Sequence, residues 1–291
     1  MQPQPIGNPP LPPSRTRLLE QARRLASLPE VVTRIIDMIH DGTTSARDIG
    51  AVIAEDPALT ARLLRIVNSP FYGLVRKVDT LSRAITVIGT LELVDLVLAA
   101  SIVRSFRGIP PEQLDMRAFW HHSLLTGTLA RALARSLQAP GTERYFIMGL
   151  LHDIGALLLC QGAGSFYAGL RARAADTEVA LADLERESLG FDHGELGADL
   201  LADWHLPESV TAAVRCHHQP RQAEDHPFET AVVHVADALA TTWLEGEAAI
   251  ELRPELDGDQ WALLHLSVTE LDDCLDRALA DFAAVRSALL G

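Results

Sequence analysis

The chain has 291 residues, 48% of them apolar, and its 25 Lys and Arg stand against 39 Asp and Glu for a net charge of −14. That length and apolar fraction suffice for one large core or two modest ones and exclude overall disorder. The acidic balance argues against a protein that grips a nucleic-acid backbone, because such proteins gain affinity by replacing counterions with Lys and Arg.

Residues 1–14, MQPQPIGNPPLPPS, carry six prolines and few groups able to build a core, which predicts a disordered tail. From Leu18 onward apolar residues recur three and four apart and alternating β-branched runs are scarce, so an all-α protein is expected. SLPEVVTRIIDMIHDG, with Ser27 placed to cap, Pro29 near the first turn and Gly42 at the end, reads as one helix. TSARDIGAVIAEDPALTARLLRIVNSPFYG reads as two helices broken at Asp56-Pro57, since proline forbids continuation but suits a first turn. NSPFYG is then a loop, whose Phe71 and Tyr72 are expected to anchor it in the core. TLSRAITVIGTLELVDLVLAASIVRSF supplies two more helices about Gly89, completing an N-terminal bundle. RGIPPEQLD joins it to a second unit.

In that second unit AFWHHSLLTGTLARALARSLQ is amphipathic, and ERYFIMGLLHDIGALLLC reads as a single central helix, apolar nearly all round. The region 183–220 breaks at Gly190 and Pro207, and TAVVHVADALATTWLEG is a further apolar helix. The predicted organisation is a tail at 1–14, an N-terminal helical subdomain at 15–108, a second helical subdomain at 109–245 and an acidic helical extension at 246–291. No apolar stretch such as LVLAASIV at 96–103 reaches the roughly 20 residues of a bilayer span, and the N-terminus lacks a signal-peptide pattern. A cytoplasmic protein without a membrane partner is expected. Cys160, Cys216 and Cys274 lack CxxC spacing and read as reduced, interior thiols.

The helices of the second unit place titratable groups where core patterning would not. In chain order they are His122, His152 with Asp153, His193, His217 beside His218, and Asp237. Burying an unpartnered charge costs several kcal/mol, so these groups call for partners. Imidazoles and carboxylates suit Fe, Mn, Zn and related divalent ions, and a carboxylate next to a histidine can bridge two of them. Asp153 is the natural bridge and the candidate catalytic residue. A pair of ions about 3.5–4 Å apart acidifies water and clamps a phosphoryl oxygen, the logic of binuclear phosphohydrolases. The alternative for each residue alone is a hydrogen-bonded packing role. His40, His205, His226, His234 and His265 are read as structural or surface groups, and His121 competes with His122 as His218 does with His217.

His122, HDIG at 152–155, His193, His217 and Asp237, in that order on successive helices, resemble the pattern of the HD superfamily of metal-dependent phosphohydrolases. LPEVVTRIIDMI, DPALTARLLRIVNSPFYG, LSRAITVIG, FWHHSLLTG, GLLHDIGALLL and DHGELGADLLADWHLPESV followed by VRCHH resemble, more narrowly, the HDOD family over roughly residues 18–245. That resemblance implies an N-terminal helical bundle packed against an HD-like helical bundle, and a bacterial signalling module that binds a protein partner; with no receiver, nucleotide-cyclase or output domain read in the sequence, a stand-alone module is expected. Many HDOD proteins have lost ligands, whereas every position of the HD ligand pattern is filled here, so the pocket is expected to hold one or two divalent ions, Fe or Mn among them, or none. The alternative function is a phosphohydrolase acting on a nucleotide or other phosphate ester, with His122, His152, Asp153, His193, His217 and Asp237 as ligands. The resemblance does not extend to the HD-GYP enzymes that cleave cyclic di-GMP: their HDIG is followed by lysine and a later GYP, and here Ala156 follows HDIG and no GYP occurs.

Overall fold

The computed structural model describes residues 13–25, 28–41, 44–106, 109–177, 179–245 and 264–290. The proline-rich tail up to residue 12, the expected cap Ser27, the expected stop Gly42 and residues 246–263 lie outside them. Among the described residues every regular element is helical: α1 (Arg15–Leu25), α2 (Glu30–Asp41), α3 (Ala46–Ala54), α4 (Pro57–Val67), α5 (Leu81–Ile88), α6 (Thr90–Ser105), α7 (Met116–Ser136), α8 (Thr142–Leu151), α9 (Ile154–Thr177), α10 (Leu181–Leu189), α11 (His193–Asp203), α12 (Glu208–Cys216), α13 (Pro227–Glu245) and α14 (Val268–Leu290). The expected all-α class is what the chain adopts.

Local chemistry explains the breaks. Asp56 accepts from the backbone N–H groups of Ala58 and Leu59, both at 2.9 Å, so the chain stops α3 and restarts as α4 at Pro57. Gly89 sits at φ +100°, ψ 162°, a conformation closed to other residues, and there the chain turns by 117° from α5 into α6. In NSPFYG the Asn68 side chain donates to the carbonyls of Leu64 and Val78 and accepts from Val78 N–H at 2.7 Å. Phe71 is buried beneath this clamp, edge-on to Phe146 and capped by the Arg131 guanidinium 3.8 Å from its ring centre. The loop is therefore anchored by its aromatic residue, as expected.

Helices α2 to α6 pack on one another, and α6 and α4 carry this bundle onto α8 and α14. The second bundle is centred on α7, which lies against α8, α13 and α14; α9, α11 and α12 close it. Two placements depend on tertiary packing. Helix α1, at the start of the expected N-terminal subdomain, lies across α9 and α11, where Arg15 pairs with Asp199 at 2.5 Å. Helix α14, within the expected C-terminal extension, buries Leu271, Cys274, Ala278 and Val285 against the main body and supplies Asp281 to the buried Arg131. The three cysteines are free and buried.

The run ERYFIMGLLHDIGALLLC is not one helix. Helix α8 ends at Leu151, His152 and Asp153 occupy a turn, and α9 begins at Ile154. The combined run Thr142–Thr177 is long and apolar enough by composition to cross a membrane, although 72% of its most apolar window is buried inside the fold.

Candidate metal centre

The turn between α8 and α9 gives His152 and Asp153 their directions. His152 folds back so that its Nδ1–H donates to the Gly149 carbonyl at 2.7 Å, which leaves Nε2 facing inward. His217, at the C-terminal end of α12, does the same with the Val214 carbonyl at 2.7 Å. His193 is the first residue of α11, whose start is fixed by a reciprocal cap between Asp192 and Glu195. Its Nδ1–H and its backbone N–H both donate to Oε2 of the fully buried Glu185, each at 2.7 Å. Helix α7 brings in His122 and α13 brings in Asp237.

These side chains meet around Asp153, whose two oxygens face different partners. Oδ2 lies 3.3 Å from His152 Nε2 and 3.7 Å from His122 Nε2, while Asp237 Oδ1 stands 3.0 Å from His122 Nε2 and 3.4 Å from His152 Nε2. Oδ1 lies 3.1 Å from His193 Nε2 and 3.6 Å from His217 Nε2, and His218 Nε2 comes within 2.8 Å of His193 Nε2. All six residues expected as ligands are thus brought together in three overlapping sets, two of which share Asp153 while the third joins His152, His217 and Asp237. Donor atoms of His122, His152 and Asp153 lie within 4.8 Å of one another, and so do those of Asp153, His193, His217 and His218.

The donor set fits divalent ions. An imidazole whose Nδ1–H is spent on a carbonyl presents a lone pair at Nε2, and here such nitrogens face carboxylate oxygens, which are also lone-pair donors. His217 Nε2 is buried without any hydrogen-bond partner. The set is therefore complete only with cations between these atoms, either ions or added protons. His218 is held well below the ordinary imidazole range, by burial first and then by His217 and His193, so it stays neutral and able to ligate.

Without ions, protons take that role. Burial disfavours a charged His152, but Asp153 and Asp237 outweigh it and push the imidazole up to about 10; Asp153 and Asp237, despite burial, are held well below the usual carboxylate range. A group raised above its ordinary 6.5 stabilises the fold fully below that pH and loses the contribution as pH rises through the folded value. Thermal unfolding in chelator should accordingly show a melting temperature that falls from about pH 7 to pH 10, and saturating metal should flatten that decline. Because ligation displaces those protons, metal affinity should rise with pH in calorimetric titrations.

Sequence reasoning assigned neither Glu185, which orients His193, nor the part played by His234, whose Nδ1–H donates to the His217 carbonyl at 2.8 Å. Glu185 lay hidden because it is eight residues from its partner and on another helix; Glu185→Gln should weaken metal binding about 10- to 100-fold by titration, the usual cost of losing such an orienting carboxylate. The choice left open at 121 and 122 is resolved by rotation about α7: His122 enters the cluster, while His121 packs edge-on to Phe282 of α14. At 217 and 218 both histidines enter. The His40 side chain lies outside the described residues, His226 stands 3.9 Å from Glu229, and His205 and His265 occupy left-handed backbone positions away from the cluster.

A cleft of about 400 Å³ opens onto the cluster, lined by Asp153, His122 and His193 at its floor and by Phe119, Leu181 and Leu244 on its walls. A larger groove of about 570 Å³, between α6 and α8, shares no residue with it.

Fold and site together define an all-helical protein with an HD-type cluster of histidines and aspartates. The HDOD domain model matches residues 25–220, and the chain belongs to the HDOD family. Among solved structures it resembles a candidate phosphohydrolase of Shewanella amazonensis SB2B (24% identity, TM-score 0.77, covering 94% of this chain and 98% of that one). It also resembles an HDOD domain protein of Geobacter sulfurreducens (22% identity, TM-score 0.75, covering 95% and 99%). A curated protein of Treponema pallidum (strain Nichols) is 27% identical over 239 residues; the match takes in 80% of this chain but spans only about half, 46%, of that relative.

Proposed function

We propose that this chain binds two divalent ions in the HD cluster and hydrolyses a phosphate ester. The observation that carries the reading is the division of Asp153 between two histidine sets, together with the buried His217 Nε2 that has no hydrogen-bond partner. When bound, such ions supply Lewis acidity toward a phosphoryl oxygen and acidify water. The residues of the chain do the rest. Asp153 serves both halves; His122, His152 and Asp237 complete one, and His193, His217 and His218 the other. The carbonyls of Gly149 and Val214 and the carboxylate of Glu185 hold protons on Nδ1, which fixes the ligating tautomers. Phe119 and Leu244 give the cleft an apolar wall beside the cluster.

The experiment is metal analysis of protein purified without chelator, followed by a panel of phosphate mono- and diesters. Two ions per chain and turnover that chelator abolishes are expected; failure of Fe²⁺, Mn²⁺ and Zn²⁺ to bind would end this reading. A second reading, a regulatory module that binds a protein partner, draws support from family membership and from the exposed Leu91, 50% accessible, which lines the larger groove. Two bound ions with no turnover on any ester would favour it.

A further inference from the structure

The walls of the cleft above the cluster are chemically divided. Phe119, Leu181 and Leu244 are apolar, whereas Arg171 is the single Lys or Arg among its lining residues. The guanidinium is fixed from behind, since Nη1 donates to the Gln113 carbonyl at 2.5 Å. None of its remaining N–H groups meets a carboxylate among the described residues. Arg15, Arg23, Arg34, Arg131, Arg173, Arg186 and Arg215 are each engaged by an Asp or Glu, whereas Arg171, the cation of the cleft, is engaged only by a backbone carbonyl. The two carboxylates of the cleft are engaged elsewhere: Asp115 Oδ1 accepts from the backbone N–H groups of Arg117 and Ala118, and Asp153 faces the histidines. An arginine left without an acid in a protein of net charge −14, held half-buried and facing a cleft, is arranged for an incoming anion.

Its position supplies what the residue after HDIG does not. Ala156 lines the same cleft and brings no charge. Arg171 lies further along the same helix, past a break at Ala163 (φ −143°, ψ 28°) that redirects the second half of α9. We propose that Arg171 is the phosphate anchor of this cleft, and that its ligands are phosphate esters carrying an apolar or aromatic group that lies on Phe119, Leu181 and Leu244. The volume of about 400 Å³ is that of a pocket for a nucleotide-sized molecule. The inference builds on the hydrolase reading but concerns binding, so the two can fail separately.

The test is calorimetric titration of the full chain, with Mn²⁺ present, by AMP and by adenosine. Arg171→Gln should weaken AMP binding about 10- to 100-fold, the value of charge-assisted hydrogen bonds to phosphate, and leave adenosine binding and Mn²⁺ stoichiometry unchanged. Arg171→Lys retains a donor for the Gln113 carbonyl and a positive charge but not the planar fork, so it should fall between; it keeps the test decisive if the glutamine variant folds poorly. Leu244→Asp, at an exposed site, should weaken both ligands. AMP binding indifferent to Arg171, or no AMP binding by the Mn²⁺-loaded wild type, overturns the anchor while leaving the metal centre standing. Arg171-dependent AMP binding in a chain that takes up no metal supports the anchor and sinks the hydrolase reading instead.

Discussion

Replacing Asp153 by alanine is expected to lower metal affinity by more than about 100-fold and to abolish any metal-dependent turnover. Loss of an outer orienting partner already costs 10- to 100-fold, and Asp153 faces both histidine sets, with Oδ2 toward His122 and His152 and Oδ1 toward His193 and His217. Neither set keeps its shared oxygen after truncation. The metal-free chain should suffer as well, because the imidazolium of His152, pushed up to about 10 chiefly against its burial by Asp153, then keeps only Asp237. Breaking a buried pair from one side costs on the order of 3–5 kcal/mol. Asp153→Asn preserves shape and one accepting oxygen, so it should retain more of the metal-free stability while still losing the metal. Element analysis and thermal unfolding with and without chelator separate the two effects. Equal metal content in wild type and Asp153→Ala would contradict the bridging role.

Gly155→Ala is expected to destabilise the chain by about 3 kcal/mol, at the upper end for overpacking, and to impair metal binding although residue 155 carries no ligand. A Cβ built there would overlap the His193 carbonyl oxygen and come within 2.7 Å of Gly197 N, both parts of the α11 backbone. Neither neighbour is a flexible side-chain end, so the first turns of α9 and α11 must separate. That separation carries His193 away from Asp153, whose Oδ1 is now 3.1 Å from Nε2. The opposing Gly197 is itself within 3.0 Å of Gly155 N by the same measure, which shows that two glycines set the closeness of the crossing. Denaturant unfolding and metal titration of Gly155→Ala check both parts; an unchanged midpoint would mean that the crossing relaxes without cost.

HDIG reads differently as sequence and as structure, because the helix stops at Leu151 and restarts at Ile154. The apolar run around it has the period of one helix, and propensity gives no reason to stop at Leu151. What interrupts it is the need to aim His152 and Asp153 at groups from α7, α11, α12 and α13, a requirement no local window contains. Residue type and spacing did announce the ligands themselves: His122, His152, Asp153, His193, His217 and Asp237 stand out because titratable groups on apolar helices need partners. Glu185 did not stand out, because Glu on an amphipathic helix usually faces water, and His218 stood out only as a rival to His217, because adjacent histidines on a regular helix would point about 100° apart. Beyond α12 the chain leaves the helix, and both rings turn inward.

The sequence by itself determined the helical class, the breaks at Asp56-Pro57, Gly89, Gly190 and Pro207, and the chemical character of the cluster. These follow from short-range causes: periodicity, capping oxygens, the missing N–H of proline and the backbone freedom of glycine. Tertiary structure alone decided that α1 lies on the second bundle, that α14 completes the core, that Asp153 divides its oxygens between two sets, and that Arg171 faces the same cleft as Ala156. Each of these is settled by which apolar faces find one another across long stretches of chain, and burial energy is non-directional, so spacing along the sequence does not encode it.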